Sequence, residues 1–211
     1  MAKNGFRIID AEPHFLEPHD LWERNLPEQF RSQTTVKSLD HGKTGEGSAE
    51  VLINGIEVPH QEGPRLVRER AFRRVGENPL LAKVTGDPTP VNFIEGFDIE
   101  GIDVGVLMPT LGMGIVRFDG LDPQHSLALC RVFNDYAADF VKAYPNRMKF
   151  WAWVPPHDAT LAAEEARRCV EDLGAVGVAM TGGAVNGNLL SDDFFDPLWA
   201  QMNDLGVAFG L

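Results

Sequence analysis

The alternation of apolar and polar positions is most regular in the second half of the chain. Residues 92–100 read as a short helix closed by Gly101, and Val104-Gly105-Val106-Leu107-Met108 is a continuous apolar run ending at Pro109-Thr110. Such a run predicts a strand buried on both faces. Residues 123–143 read as a long helix with Leu127, Cys130, Phe133, Ala137 and Phe140 on one side. Asp122 before Pro123 supplies a cap and then a residue preset for the first turn. The pattern then gives a strand at 148–154 ended by Pro155-Pro156, and a helix at 161–173 stopped by Gly174. A strand follows at 176–180, opening into Thr181-Gly182-Gly183. A helix at 194–205 stopped by Gly206 leads to a last apolar strand at 207–211. With the run that begins at Arg7-Ile8-Ile9, this makes five predicted strands. Strands alternating with helices through short connections predict a parallel sheet with helices outside it.

The region between the first strand and residue 91 is less regular. Asp20 to Phe30 reads as a short helical stretch ending near Pro27, and Ser32 to Ser48 as a polar loop. Asn54-Gly55 between Val51-Leu52-Ile53 and Ile56-Glu57-Val58 predicts a hairpin. The basic run Arg65-Leu66-Val67-Arg68-Glu69-Arg70-Ala71-Phe72-Arg73-Arg74 follows it. Residues 32–90, approximately, read as an insertion carrying the hairpin and the basic segment. The whole of 1–211 is then a single, partial domain.

The chemistry-bearing stretch is Ile9-Asp10-Ala11-Glu12-Pro13-His14-Phe15. On a strand, alternate side chains share a face, so Asp10, Glu12 and His14 are expected on one side. Carboxylate oxygen and imidazole nitrogen are ordinary ligands of zinc or manganese. The same residues also read as a surface turn, since Pro13 cannot donate to a ladder. An open doubly wound sheet would accommodate five strands, but no Gly-rich phosphate loop follows the first one. A metal-type motif there favours a (β/α)8 TIM barrel, incomplete in this chain, because eight such units take roughly 250 residues or more.

Composition narrows the partners. The 211 residues are 44% hydrophobic and 24% charged, an ordinary globular balance. The formal net charge of -12, from 31 acidic and 19 basic residues, disfavours nucleic acid. No apolar run approaches bilayer length and the start lacks a secretory stretch, so neither a membrane nor export is expected and the cytoplasm is the default. Cys130 and Cys169 lie far apart in predicted helices and read as buried free thiols.

Taken together, these features resemble the amidohydrolase-related family of metal-dependent TIM barrels, of the aminocarboxymuconate-semialdehyde decarboxylase-like kind. Ile9 to His14 stands where that family has HxH or, in several decarboxylases, ExH. Further matching segments are Glu100 to Leu107, Asn134-Asp135-Tyr136 with Tyr144-Pro145-Asn146-Arg147, Leu190-Ser191-Asp192, and Asp196-Pro197-Leu198-Trp199. The resemblance implies that Glu12 and His14 bind one divalent metal, zinc or manganese, with Asp10 orienting them. Glu17, directly after this motif, is a further candidate for supporting the ligands, or else only accepts bonds from loop backbone amides. It implies a decarboxylase, favoured over a hydrolase, acting on a small carboxylated aromatic or unsaturated substrate, in a homodimer or higher homo-oligomer. Two departures stand out. The loop 181–187 carries no His, and the family's metal-ligating His after the strand at 207–211 would come after Leu211. The expectation is therefore the front half of a longer enzyme whose principal acid or base lies beyond Leu211, or else a catalytically incomplete fragment or binding module.

Other residues at the expected rim are weaker candidates. Thr110 and His157 follow predicted strands and could touch substrate, and Arg68, Arg70 and Arg73 could hold its carboxylate. A cap partner or exposed surface residue is the preferred account of His157. His19, His41, His60 and His125 read as surface residues, and Trp151 and Trp153 as core packing, with the strand's alternation sending one pair of side chains inward and the other under the helices.

Overall fold

A computed structural model describes residues 5–15, 17–18, 20–40, 47–57, 89–117 and 119–211. Its main sheet is parallel and curled, with strand order β1 (Ile9–Asp10), β6 (Val104–Pro109), β7 (Met148–Trp153), β8 (Gly177–Ala179) and β9 (Ala208–Gly210). β2 (His14–Phe15) pairs with the far end of β6. All five predicted strands are present and their pairings are all parallel.

The helices begin and end where local chemistry directs them. In Pro90–Glu100 the Thr89 hydroxyl accepts the amide of Asn92, Pro90 occupies the first turn, and Gly101 ends the helix at φ 77°. Asp122 caps Pro123–Val141 by accepting the His125 amide, and Asp158 caps Ala159–Arg168 through the amides of Thr160 and Leu161. The latter helix widens into a π turn, Cys169–Leu173, before Gly174. Asp196–Leu205 is preceded by the short 3-10 turn Asp193–Phe195 and stops at Gly206.

Strand register separates the two faces of the sheet. Leu107 pairs with Phe150, and a Cβ on Gly105 would lie 2.3 Å from the Phe97 ring, so Gly105, Leu107 and Phe150 face the helices. Phe97 meets Phe93 edge-on, and Phe93 meets Phe140 in the same way, tying two helices into this layer. Leu107, Met148, Phe150 and Val178 are fully buried. Removing a buried ring of this kind costs roughly 3–5 kcal/mol. Val106, Lys149 and Trp151 alternate with these residues and occupy the concave face.

A polar clamp joins helix to sheet. Asn134 donates to the Trp153 carbonyl at 2.9 Å and accepts from the Trp153 amide at 2.8 Å. It also donates to Glu165, whose carboxylate receives Arg131 and Arg168 as well. Burial alone would raise the Glu165 pKa, but the hydrogen bonds from Arg168, Asn134 and Arg131 hold it below the usual value. Cys130 and Cys169 are buried and free, as expected.

Three expectations change. The polar stretch 32–48 contains a strand, β3 (Thr34–Asp40), paired antiparallel with β4 (Gly47–Ile53), which turns into β5 (Ile56–Glu57). The turn itself is as predicted, with Asn54 at φ 54° and Gly55 at φ 75°. β3 has no clean alternation and is defined by pairing across the sheet rather than by its own pattern. His125 is fully buried rather than at the surface. Its Nε2 lies 2.8 Å from the Thr34 hydroxyl and its ring stacks on Phe30 at 4.6 Å. His157, too, is buried rather than exposed. His19, His41, His60, Arg68, Arg70 and Arg73 lie outside the described residues, as does most of the expected insertion.

Candidate functional site

The first core strand is broken where its chemistry lies. Asp10 pairs with Gly105 and His14 with Met108, so four steps on one strand match three on the other. The extra residue shifts the alternation by one. Asp10 is therefore on the helix face and His14 on the concave face, which corrects the expectation that Asp10 and His14 share a side. Glu12 sits within the break, exposed to solvent.

Four hydrogen bonds hold this break. The Asp10 Oδ1 accepts the Glu12 amide at 3.0 Å, a local turn in which an Asp side chain bonds the backbone two residues on. The Pro13 carbonyl accepts the Met108 amide at 3.0 Å. The Trp151 indole donates to the Ala11 carbonyl at 2.8 Å. His14 Nδ1 lies 2.7 Å from the Pro109 carbonyl. A carbonyl only accepts, so Nδ1 carries the proton and Nε2 keeps its lone pair. A second hydrogen bond of this kind is how a metal-binding imidazole is usually oriented. Among the described residues no group of three or more His, Cys, Asp or Glu is arranged to hold a metal ion.

Glu17 lies next to this arrangement and is 1% exposed. Its Oε1 accepts the amides of Thr110 at 3.0 Å and Gly112 at 3.1 Å, and its Oε2 that of Leu111 at 2.9 Å. These three amides form the turn from β6 into the short helix Gly112–Ile115. Burial pushes the Glu17 pKa up to about 7, against the opposing pull of the amides. The turn starts immediately after Pro109, so Glu17 fixes the segment whose carbonyl holds His14.

The remaining candidates are placed as follows. Thr110 is exposed at the carboxyl end of β6. His157 Nδ1 lies 2.9 Å from the Ser126 hydroxyl, below the surface. Trp153 is buried, whereas Trp151 is half-exposed on the concave face and in contact with the site. Sequence reasoning missed this role for Trp151. The available signal was Gly177, a glycine inside a strand, which often marks the close approach of another group.

Comparison with known proteins bears on this geometry. The family model described as amidohydrolase matches residues 102–211, which is more than half of the chain. This chain belongs to the amidohydrolase family. It is 32% identical over 95 residues to the γ-resorcylate decarboxylase of a Rhizobium species, covering 43% of this chain and 29% of that enzyme. An amidohydrolase of Mycobacterium avium subsp. paratuberculosis superposes with a TM-score of 0.67 at 20% identity, over 97% of this chain and 57% of the other. A 5-carboxyvanillate decarboxylase of Novosphingobium aromaticivorans, solved with manganese and 4-hydroxy-3-methoxy-5-nitrobenzoic acid, gives 0.58 at 20% identity, over 98% and 50%. The chain thus spans about half the length of these solved relatives. The shared amidohydrolase fold makes the five-stranded arc part of an α/β barrel sheet, with β1, β2 and β6 ending at the rim where such barrels carry their sites.

Proposed function

We propose that this chain carries residues of a metal-dependent decarboxylase site for a small carboxylated aromatic or unsaturated substrate. Glu12 and His14 would hold one divalent cation, zinc or manganese. The observation that carries this reading is the His14 bond to the Pro109 carbonyl, which leaves Nε2 as the free ligand atom beside an exposed carboxylate at the end of the first core strand. The decarboxylase relatives and the manganese in one solved neighbour support the same reading. The cation would supply Lewis-acid stabilisation of substrate oxygens.

The chain's own residues then divide the work. Asp10 shapes the turn that presents Glu12, and Glu17 holds the turn that presents the partner of His14. Thr110 is placed at the rim to contact substrate, and Arg68, Arg70 and Arg73 are assigned the substrate carboxylate. His157 is bonded to Ser126 and is given no substrate contact. Loss of carbon dioxide leaves an electron pair on the ring or vinyl carbon, and a proton must be delivered there. No residue of this chain is assigned that transfer.

The test is release of carbon dioxide from 2,6-dihydroxybenzoate and 5-carboxyvanillate by the full-length protein loaded with Mn2+. Glu12→Gln and His14→Asn should each lower kcat/KM by at least about 100-fold. Turnover that survives both substitutions and metal chelation would remove the proposal.

A further inference from the structure

We infer that Trp151 is a positioning residue for Glu12, acting through its indole N–H, and that Gly177 is the clearance that lets its ring reach there. The inference rests on the reading of Glu12 as a metal ligand. Trp151 lies on β7, yet its Nε1 bonds the Ala11 carbonyl, 140 residues away on the far side of β6. Ala11 immediately precedes Glu12 in the broken stretch of strand, between the ladder pairs Asp10–Gly105 and His14–Met108.

The opposite edge of the ring is equally constrained. A Cβ on Gly177 would lie 2.3 Å from Trp151 Cζ3 and 2.5 Å from Cε3, far inside contact distance. A Cβ on Gly210 would stand 3.5 Å from the same two atoms. The indole therefore lies flat across the concave face, over β8 and beside β9, with its N–H pointing back to β1. It connects the two ends of the strand order β1-β6-β7-β8-β9 through a single side chain. Any larger residue at 177 must displace the ring or the strand, and displacement of the ring breaks the bond to Ala11. A hydrogen bond that fixes the backbone beside a ligand acts on metal affinity as one that orients the ligand itself does.

The test uses the full chain freed of metal and titrated with Mn2+ alone, with free Mn2+ read by electron paramagnetic resonance. Trp151→Phe keeps a flat ring and removes only the donor and some bulk. It should weaken Mn2+ binding about tenfold. Gly177→Ala should weaken it similarly and shift the Trp151 indole N–H resonance, assigned among the four tryptophans by its loss in Trp151→Phe. Because both substitutions act through one bond, the double variant should be no weaker than the weaker single variant. Additive losses would overturn the proposal. So would Mn2+ affinity within about twofold of wild type in Trp151→Phe, when Glu12→Gln binds far more weakly than the roughly tenfold loss expected of an orienting group. Unchanged affinity in Glu12→Gln would overturn the ligand assignment itself, which separates the two failures. If Trp151→Phe does not fold, the Trp151 indole N–H is assigned through the contact of its ring with Gly177. Its slow exchange in the wild type must then be lost in Gly177→Ala, and fast exchange in the wild type overturns the inference.

Discussion

Glu17 shows how much one side chain decides here. Its carboxylate is buried and accepts three consecutive backbone amides, yet burial still lifts its pKa from 4.5 to about 7. The folded chain therefore binds a proton that the unfolded chain releases, and stability falls as pH rises from 4.5 to about 7. The rise in pKa corresponds to about 3 kcal/mol across that window. Glu17→Gln cannot titrate, and its amide group opposes at least one of the three N–H donors. Denaturant midpoints should show wild type losing stability relative to Glu17→Gln from pH 4.5 to 8, and parallel curves would refute the assignment. The position of Glu17 after the His14 motif was legible in the sequence. Its burial was not, because the three amides belong to residues more than ninety positions away.

At the scale of elements, helix ends were legible and strand breaks were not. Gly101, Gly174 and Gly206 each end a helix in the left-handed conformation, a local requirement written in one residue. The break between Asp10 and His14 depends on how β6 runs beside it. The link between β3 and Pro123–Val141 likewise includes a long-range pair, Thr34 with His125. Burial lowers the His125 pKa below 6.5, with Asp122 pulling the other way. Just below pH 6.5 the unfolded chain therefore binds a proton at His125 more readily than the folded chain does. The stability this contributes is present above pH 6.5 and is lost as pH falls toward the folded pKa. Hydrogen-exchange protection factors of the Thr34–Asp40 amides, corrected for the intrinsic rate, should fall between pH 7.5 and 5, and His125→Gln should remove that dependence. Equal protection at both pH values in wild type would contradict it.

For the whole molecule, the proposed ligands belong to an edge of the sheet that, among the described residues, pairs with β6 alone. A cation held by Glu12 and His14 would bind only the folded chain. Free Mn2+ at 100 times its Kd should stabilise folding by about 2.7 kcal/mol, read as a rise in Tm that chelation reverses. The rise should vanish in Glu12→Gln and in His14→Asn. A rise of equal size in both variants would place the cation elsewhere.

By itself the sequence determined the parallel α/β order, the helix caps, the Asn54-Gly55 hairpin and the candidate pair Glu12 and His14. Each of these is encoded by neighbours within one turn or one strand, where period and backbone preference act directly. Only the tertiary structure decided that Asp10 and His14 face opposite ways, that Glu17 is buried beneath a distant turn, and that the Trp151 indole spans the sheet to Ala11. These depend on register and on contacts between residues about 90 to 140 positions apart, and no local pattern carries that information because the partner's position is set by the packing of the whole sheet.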